Sequence, residues 1–231
     1  MRLLPLLALL QLFSIPARAL EPDLHEAAER GDLKRVKALL AASPERLKEA
    51  DPGGNTPLHA AARGGRKDVL AWLHREGADL DAPNGNGETP LIAAVRAHQE
   101  AAVAWLLAQR ADLDAQSNAG TALHRAAVEA EAGLARRLLE AGAEVDARAA
   151  SGVTPLHWAA AYGAKDVANL LLERGAAVDA RSGGGETPLH EAARANAKNL
   201  AELLLKRGAN VNARTRSGRT PPAPCRRSGL R

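Results

Sequence analysis

Gly152-Val153-Thr154-Pro155-Leu156-His157-Trp158-Ala159-Ala160-Ala161-Tyr162-Gly163 is the stretch whose reading decides the fold. Thr154 is placed to cap a helix through its hydroxyl, and Pro155 falls at the first helical position, where a missing N–H removes no bond. Gly163 ends that short helix. A second helix is expected over 165–174, with Val167, Ala168, Leu170, Leu171 and Leu172 on one face and Gly175 as the left-handed residue after its last turn. The turn-rich stretch 176–185 then leads back to Thr187 as a hairpin-like finger. Alanine pairs such as Ala159-Ala160 let neighbouring first helices approach closely.

The unit recurs along the chain. Thr56, Thr89, Thr121, Thr154, Thr187 and Thr220 are separated by 33, 32, 33, 33 and 33 residues, and five of them open Thr-Pro-Leu-His or a near copy. A period this strict predicts one stack of a single supersecondary unit, each copy contacting only its neighbours. The pattern Gly-x-Thr-Pro-Leu-His-x-Ala-Ala, a Leu-rich helix and Gly-Ala-x-Val-Asp-Ala resembles the ankyrin repeat over about residues 22–220. That resemblance implies an all-α solenoid of helix-turn-helix units with finger loops. It divides the chain into an N-terminal capping repeat at 20–53, five repeats at 54–217, and a truncated repeat or aberrant disordered tail at 218–231. The first unit, from Asp23 to Asp32, lacks Thr-Pro, and an extra segment at 41–51 lengthens its link.

Departures from the pattern cluster in the third and fourth units. Ile92 replaces the motif histidine, His98 and Ala130 stand where the first helix usually ends on glycine, and Arg110 replaces the glycine after the second helix. The unit at Thr121 is one residue short, in Asn118-Ala119-Gly120. This part of the stack is expected to be the least regular. Beyond Thr220-Pro221-Pro222 the pattern stops, which should leave the apolar surface at Leu200 and Leu203 to Leu205 poorly covered. The genetic code allows a one-base shift within the Pro221-Pro222 codons to restore Leu-His after Thr-Pro.

The two ends also carry the charge imbalance. The 231-residue chain has 31 basic and 27 acidic residues, a net charge of +4. Residues 1–19 and 214–231 hold eight of the arginines and no acid, so the body at 20–213 is net −4 and leaves no basic stripe for a phosphate backbone. Nucleic acid is therefore not an expected partner. Residues 1–19 read as a cleaved secretory signal: Arg2, an apolar run from Leu3 to Ile15, then Ala17-Arg18-Ala19. The run is too short to span a bilayer and contains Pro5, so no stable membrane insertion is expected after cleavage. The single Cys225 excludes a disulfide framework within the chain.

Nothing in the pattern supplies catalysis. His59, His124, His157 and His190 sit at least one repeat apart, about 8–10 Å or more, too far to share a zinc ion with ligand distances of about 2 Å. His74 and His98 lack a serine and carboxylate in triad arrangement, and Gly183-Gly184-Gly185 has neither the strand before it nor the lysine after it that a nucleotide loop needs. No catalytic residue, metal or cofactor is assigned. Trp72 and Trp105 occupy equivalent second-helix positions and read as packing residues.

The resemblance implies that function lies in a groove lined by the first helices and in the finger tips, and that the function is protein recognition. On this chain those positions include Arg63, Arg96, Glu129, Trp158, Tyr162 and Arg194 in the groove. On the fingers they include Asn84, Asn86, Glu88, Arg148, Arg181 and Glu186. The reading is a monomeric, non-catalytic binding protein exported to a bacterial periplasm. Its rivals are a secreted effector that binds a host protein and an accessory subunit of an exported enzyme.

Overall fold

A computed structural model describes residues 23–222; the expected signal segment and most of the expected tail lie outside them. Among the described residues the chain forms helices and no strands. They come in pairs: α1 (Leu24–Arg30) with α2 (Leu33–Ala42), α3 (Pro57–Arg63) with α4 (Lys67–Arg75), α5 (Pro90–Arg96) with α6 (Glu100–Ala108). The series continues with α7 (Ala122–Val128) and α8 (Ala132–Glu140), α9 (Pro155–Tyr162) and α10 (Lys165–Glu173), α11 (Pro188–Arg194) and α12 (Lys198–Lys206). A 3₁₀ turn, Pro44–Lys48, occupies the expected extra segment after α2. The all-α solenoid read from the sequence is the architecture observed.

Each first helix begins where the threonine predicts. Thr56, Thr121, Thr154 and Thr187 accept the N3 backbone N–H, while the N3 histidine reaches back to the threonine backbone. A histidine thus fills the place that Glu or Gln takes in an ordinary capping box. In α1 Asp23 is the cap, accepting from the His25 N–H. Proline follows the cap in α3, α5, α9 and α11.

The core is a continuous band of alanine from the first helices and leucine or valine from the second. Consecutive first helices approach one another far more closely than consecutive second helices do. A two-layer stack packed in this way curves toward the tighter layer, which makes the first-helix row the concave wall. One position shows how close the approach is: a Cβ on Gly64, at the end of α3, would lie 2.1 Å from the Glu29 carbonyl oxygen of α1. Only glycine fits there.

The irregular third and fourth units keep the backbone of the pattern at a cost. His98, Arg110 and Ala130 take the left-handed conformation at φ 56, 62 and 57°, and so does Asn196 at 54°. For the first three the strain is about 1 kcal/mol each, whereas asparagine enters this region more readily. The helix pair α5 and α7 is the least closely packed of the neighbouring first helices.

At the far end the expected loss of cover is narrower than the sequence suggested. Leu200 and Leu204 are buried because α12 turns them onto its own unit and onto α10, and Leu203 is half-buried. Leu205 at 43 % and Val211 at 56 % are the residues left open. Trp72 and Trp105 pack against the core as expected, Trp72 beneath the Lys37 ammonium at 5.9 Å and Trp105 edge-on to His74 at the same separation.

Candidate functional site

The motif histidines are structural clasps. In His59, His124, His157 and His190 the Nδ1 atom accepts the threonine backbone N–H at 3.1–3.2 Å. The proton is therefore on Nε2, which donates to a carbonyl of the next finger: Glu88, Val153, Glu186 and Arg219 at 2.9, 3.1, 3.0 and 3.2 Å. His25 makes the same reach to Asn55 at 2.8 Å. Both ring nitrogens are engaged, so none offers a lone pair to a metal. Among the described residues no His, Cys, Asp and Glu cluster suits a metal ion. Burial holds His59, His124 and His157 below the usual histidine range.

Ile92 interrupts this row, and the structure shows what replaces the clasp. The carbonyl due to receive a histidine there is that of Gly120. It accepts instead from Ser117, through the hydroxyl at 2.7 Å and the backbone N–H at 3.1 Å. The one-residue shortening of this finger brings Ser117 into position, a substitution the sequence did not disclose. Ile92 itself is buried.

The concave wall carries a chain of ion pairs. Arg63 grips Glu29 with two bonds of 2.8 Å, and that pairing holds the Glu29 carboxyl below its usual range. Further along, Glu88 lies 3.2 Å from Arg96 and 3.4 Å from Arg125. Arg125 also meets Glu129 at 3.6 Å, and His98 stands between Glu129 at 3.8 Å and Glu131 at 2.8 Å. Glu88 corrects the sequence reading: it is 3 % exposed and anchors two repeats together, so it is not presented to a partner. Arg125 was missed, although it occupies the repeat position of Trp158, one period earlier.

Beyond this network the wall changes character. Trp158 and Tyr162 lie with ring centroids 5.7 Å apart at 44°, and Tyr162 is 57 % exposed. The Trp158 Nε1 is buried with no hydrogen-bond partner among the described residues. Arg194 pairs with Glu191 on the next first helix. The structure thus brings Arg96 toward Glu129 through Arg125, and Trp158 to Tyr162, while Arg63 belongs to a separate pair nearer the N-terminus.

The fingers are tied tip to tip. Backbone N–H groups of Gly85, Asn118, Gly183 and Arg216 donate to the carbonyls of Gly53, Asn86, Ser151 and Gly184 at 2.8–2.9 Å. Among the described residues no such bond joins finger 117–120 to finger 149–153. Asn84 is spent on the turn: its Oδ1 accepts from the N–H of Asn86 and of Glu88, and its Nδ2 donates to Asn55. Glu186 accepts from the Ser182 hydroxyl, which holds its carboxyl below the usual range, and is half-buried. Asn86, Arg148 and Arg181 remain exposed.

A family model described as Ankyrin repeats (3 copies) matches residues 24–117, 105–182 and 123–215. The crystal structure of the human ASB11 ankyrin repeat domain superposes with a TM-score of 0.78 at 29 % identity, over 90 % of this chain and 93 % of that one. No curated protein matches the chain.

Proposed function

Since the chain belongs to the ankyrin-repeat family, whose folds are generally protein-binding scaffolds, we propose that it is a non-catalytic scaffold exported to a bacterial periplasm. In this reading it holds a protein partner along the concave wall and the finger tips. The observation that carries the binding surface is Tyr162, a largely exposed aromatic ring packed at a tilt against Trp158 in a wall otherwise occupied by charge pairs. Aromatic side chains flanked by arginine are the usual anchors of a protein interface. The charge pairs on either side, Arg125 with Glu129 and Arg194 with Glu191, supply a polar rim. Export is proposed from residues 1–19, whose charged start, apolar run and Ala-x-Ala end fit a signal. No helix among the described residues is long and apolar enough to cross a membrane.

Affinity capture from periplasmic extract tests both parts. The wild-type chain should retain a protein that the Tyr162→Ala, Arg194→Ala double variant loses, with helicity unchanged. Equal retention by the two would remove the wall as the binding site. Accumulation in the culture medium with no periplasmic partner would replace the scaffold reading with that of a secreted effector.

A further inference from the structure

The last three fingers carry a feature that a sum of charges conceals. Arg148, Arg181 and Arg214 occupy the same repeat position, just before the residue whose N–H closes the finger turn, where earlier fingers have Ala50, Pro83 and Gln116. All three are exposed. The Arg148 Nη1 donates to the carbonyls of Gly152 at 3.1 Å and Arg181 at 2.9 Å, and the Arg181 Nη1 donates to the Arg214 carbonyl at 2.9 Å. The Arg148 and Arg181 guanidinium groups therefore lie over the backbone of the next finger, and the row runs along the stack. No carboxylate among the described residues pairs with any of them.

The choice of nitrogen matters. A guanidinium fixed through Nη1 keeps its Nε and Nη2 edge clear, and that edge is the fork that takes both oxygens of a carboxylate. Arg148 and Arg181 are thus held in place before a ligand arrives, so less side-chain freedom is lost on binding.

We propose that Arg148, Arg181 and Arg214 form an arginine ladder that grips an acidic peptide segment of the partner, one carboxylate per finger. The proposal rests on the scaffold reading and gives it a partner chemistry. Stacked units lie about 10 Å apart, and in a polyproline II strand every third side chain returns to the same face after about 9 Å. The matching ligand is an extended segment with Asp or Glu at every third position. A nucleic acid fits less well. Asp146 and Asp179, two residues before Arg148 and Arg181, would face its continuous charge, and the exposed aromatic that base stacking needs is on the wall, not on these fingers.

Fluorescence anisotropy with the full mature chain tests this directly. The probes are a proline-rich peptide with glutamate at every third position, a peptide of identical composition with contiguous glutamates, and a single-stranded oligothymidylate. The spaced peptide should bind best, and Arg181→Gln should weaken it about tenfold. Arg181→Lys should weaken it nearly as much, because lysine keeps the charge but loses the fork. Arg214→Gln, whose side chain makes no hydrogen bond among the described residues, should act alike without touching the fold. Arg136→Gln, exposed on α8, should change nothing. Equal binding of the contiguous peptide or the oligonucleotide, full affinity in Arg181→Lys, or no peptide binding would each overturn the ladder. If the ladder fails while Tyr162 and Arg194 still govern capture, the scaffold reading stands; if capture is also indifferent to that pair, both fall.

Discussion

Two kinds of junction hold this stack together. Where α3, α7, α9 and α11 meet the following finger, a buried histidine joins its own helix cap to a carbonyl one unit on, and at α1 His25 makes the same reach to the Asn55 carbonyl. Where α5 meets finger 117–120, Ile92 cannot make that bond, and the finger closes on itself through Ser117. The same finger lacks the tip bond to its successor, and α5 and α7 pack less closely than the other first helices. Side-chain charge compensates across this part of the stack: Glu88, Arg96, Arg125, Glu129, His98 and Glu131 form one network where other junctions have at most isolated pairs. Hydrogen bonds to fixed carbonyls tolerate little movement, whereas ion pairs of 3.2–3.8 Å between longer side chains tolerate more. The histidine-free junction is thus the one held by side-chain charge in place of a histidine clasp.

The sharpest way to break the clasped junctions is acid. Burial holds His59, His124 and His157 below the ordinary histidine pKa of about 6.5. An unfolded chain therefore binds more protons than the native one as pH falls through about 6.5, and stability is lost from there down to the native pKa values. Above about 7.5 the contribution is complete. Each histidine contributes a slope of at most about 1.4 kcal/mol per pH unit, or about 4 kcal/mol per unit for the three together. Urea midpoints between pH 8 and 5 should be flat and then fall. A flat profile throughout would mean that the rings protonate in place.

Next in size is a single clasp. His157→Ala leaves the Thr154 N–H without an acceptor and the Glu186 carbonyl with only its Ser182 bond, and opens a cavity in the α9 row. A loss of about 3 kcal/mol in urea unfolding is expected. Glu88→Gln attacks the other kind of junction. It removes the carboxylate from between two arginines, one of them well exposed, so about 2 kcal/mol is expected. Glu129→Gln, closer to solvent, should change stability by less than about 0.5 kcal/mol. If Glu129→Gln costs as much as Glu88→Gln, burial is not what gives Glu88 its role.

How much of this was legible in the sequence follows from what the period can and cannot carry. The caps at Thr56, Thr89, Thr121, Thr154 and Thr187, the glycine turns and the helix pairs are local events, so each copy of the motif states them again. Local anomalies were equally visible: Ile92, His98, Ala130 and the short finger are departures from a register that every other unit defines. What escaped lies between units. The capture of Glu88 by Arg96 and Arg125 joins residues 8 and 37 positions apart in sequence, and no motif position marks a finger carboxylate as turned inward. Arg148 and Arg181 were legible as finger positions, but their row with Arg214 was not, because the charge count divided the chain after residue 213 and put Arg214 with the C-terminal end.

The coupling between positions 92 and 117 is the most informative about the comparison. At the histidine-free junction the Gly120 carbonyl already accepts two bonds from Ser117, so a histidine at position 92 would arrive without an acceptor and would have to displace a packed isoleucine. Ile92→His alone should cost about 2 kcal/mol. Ser117→Ala alone removes one of the two bonds to Gly120 and should cost about 1 kcal/mol. The two changes together restore the arrangement of the other junctions: the Ser117 backbone N–H and a histidine Nε2 share one carbonyl, and Nδ1 meets the Thr89 cap. The double variant should therefore be more stable than the sum of the single losses predicts, by about 1 kcal/mol, which a double-mutant cycle in urea resolves. Strict additivity would show that the short finger, not the choice of residue at 92, keeps the clasp from forming. In that case inserting one residue between Asn118 and Gly120 would be required before histidine could act there, which places the origin of the irregular junction in finger length.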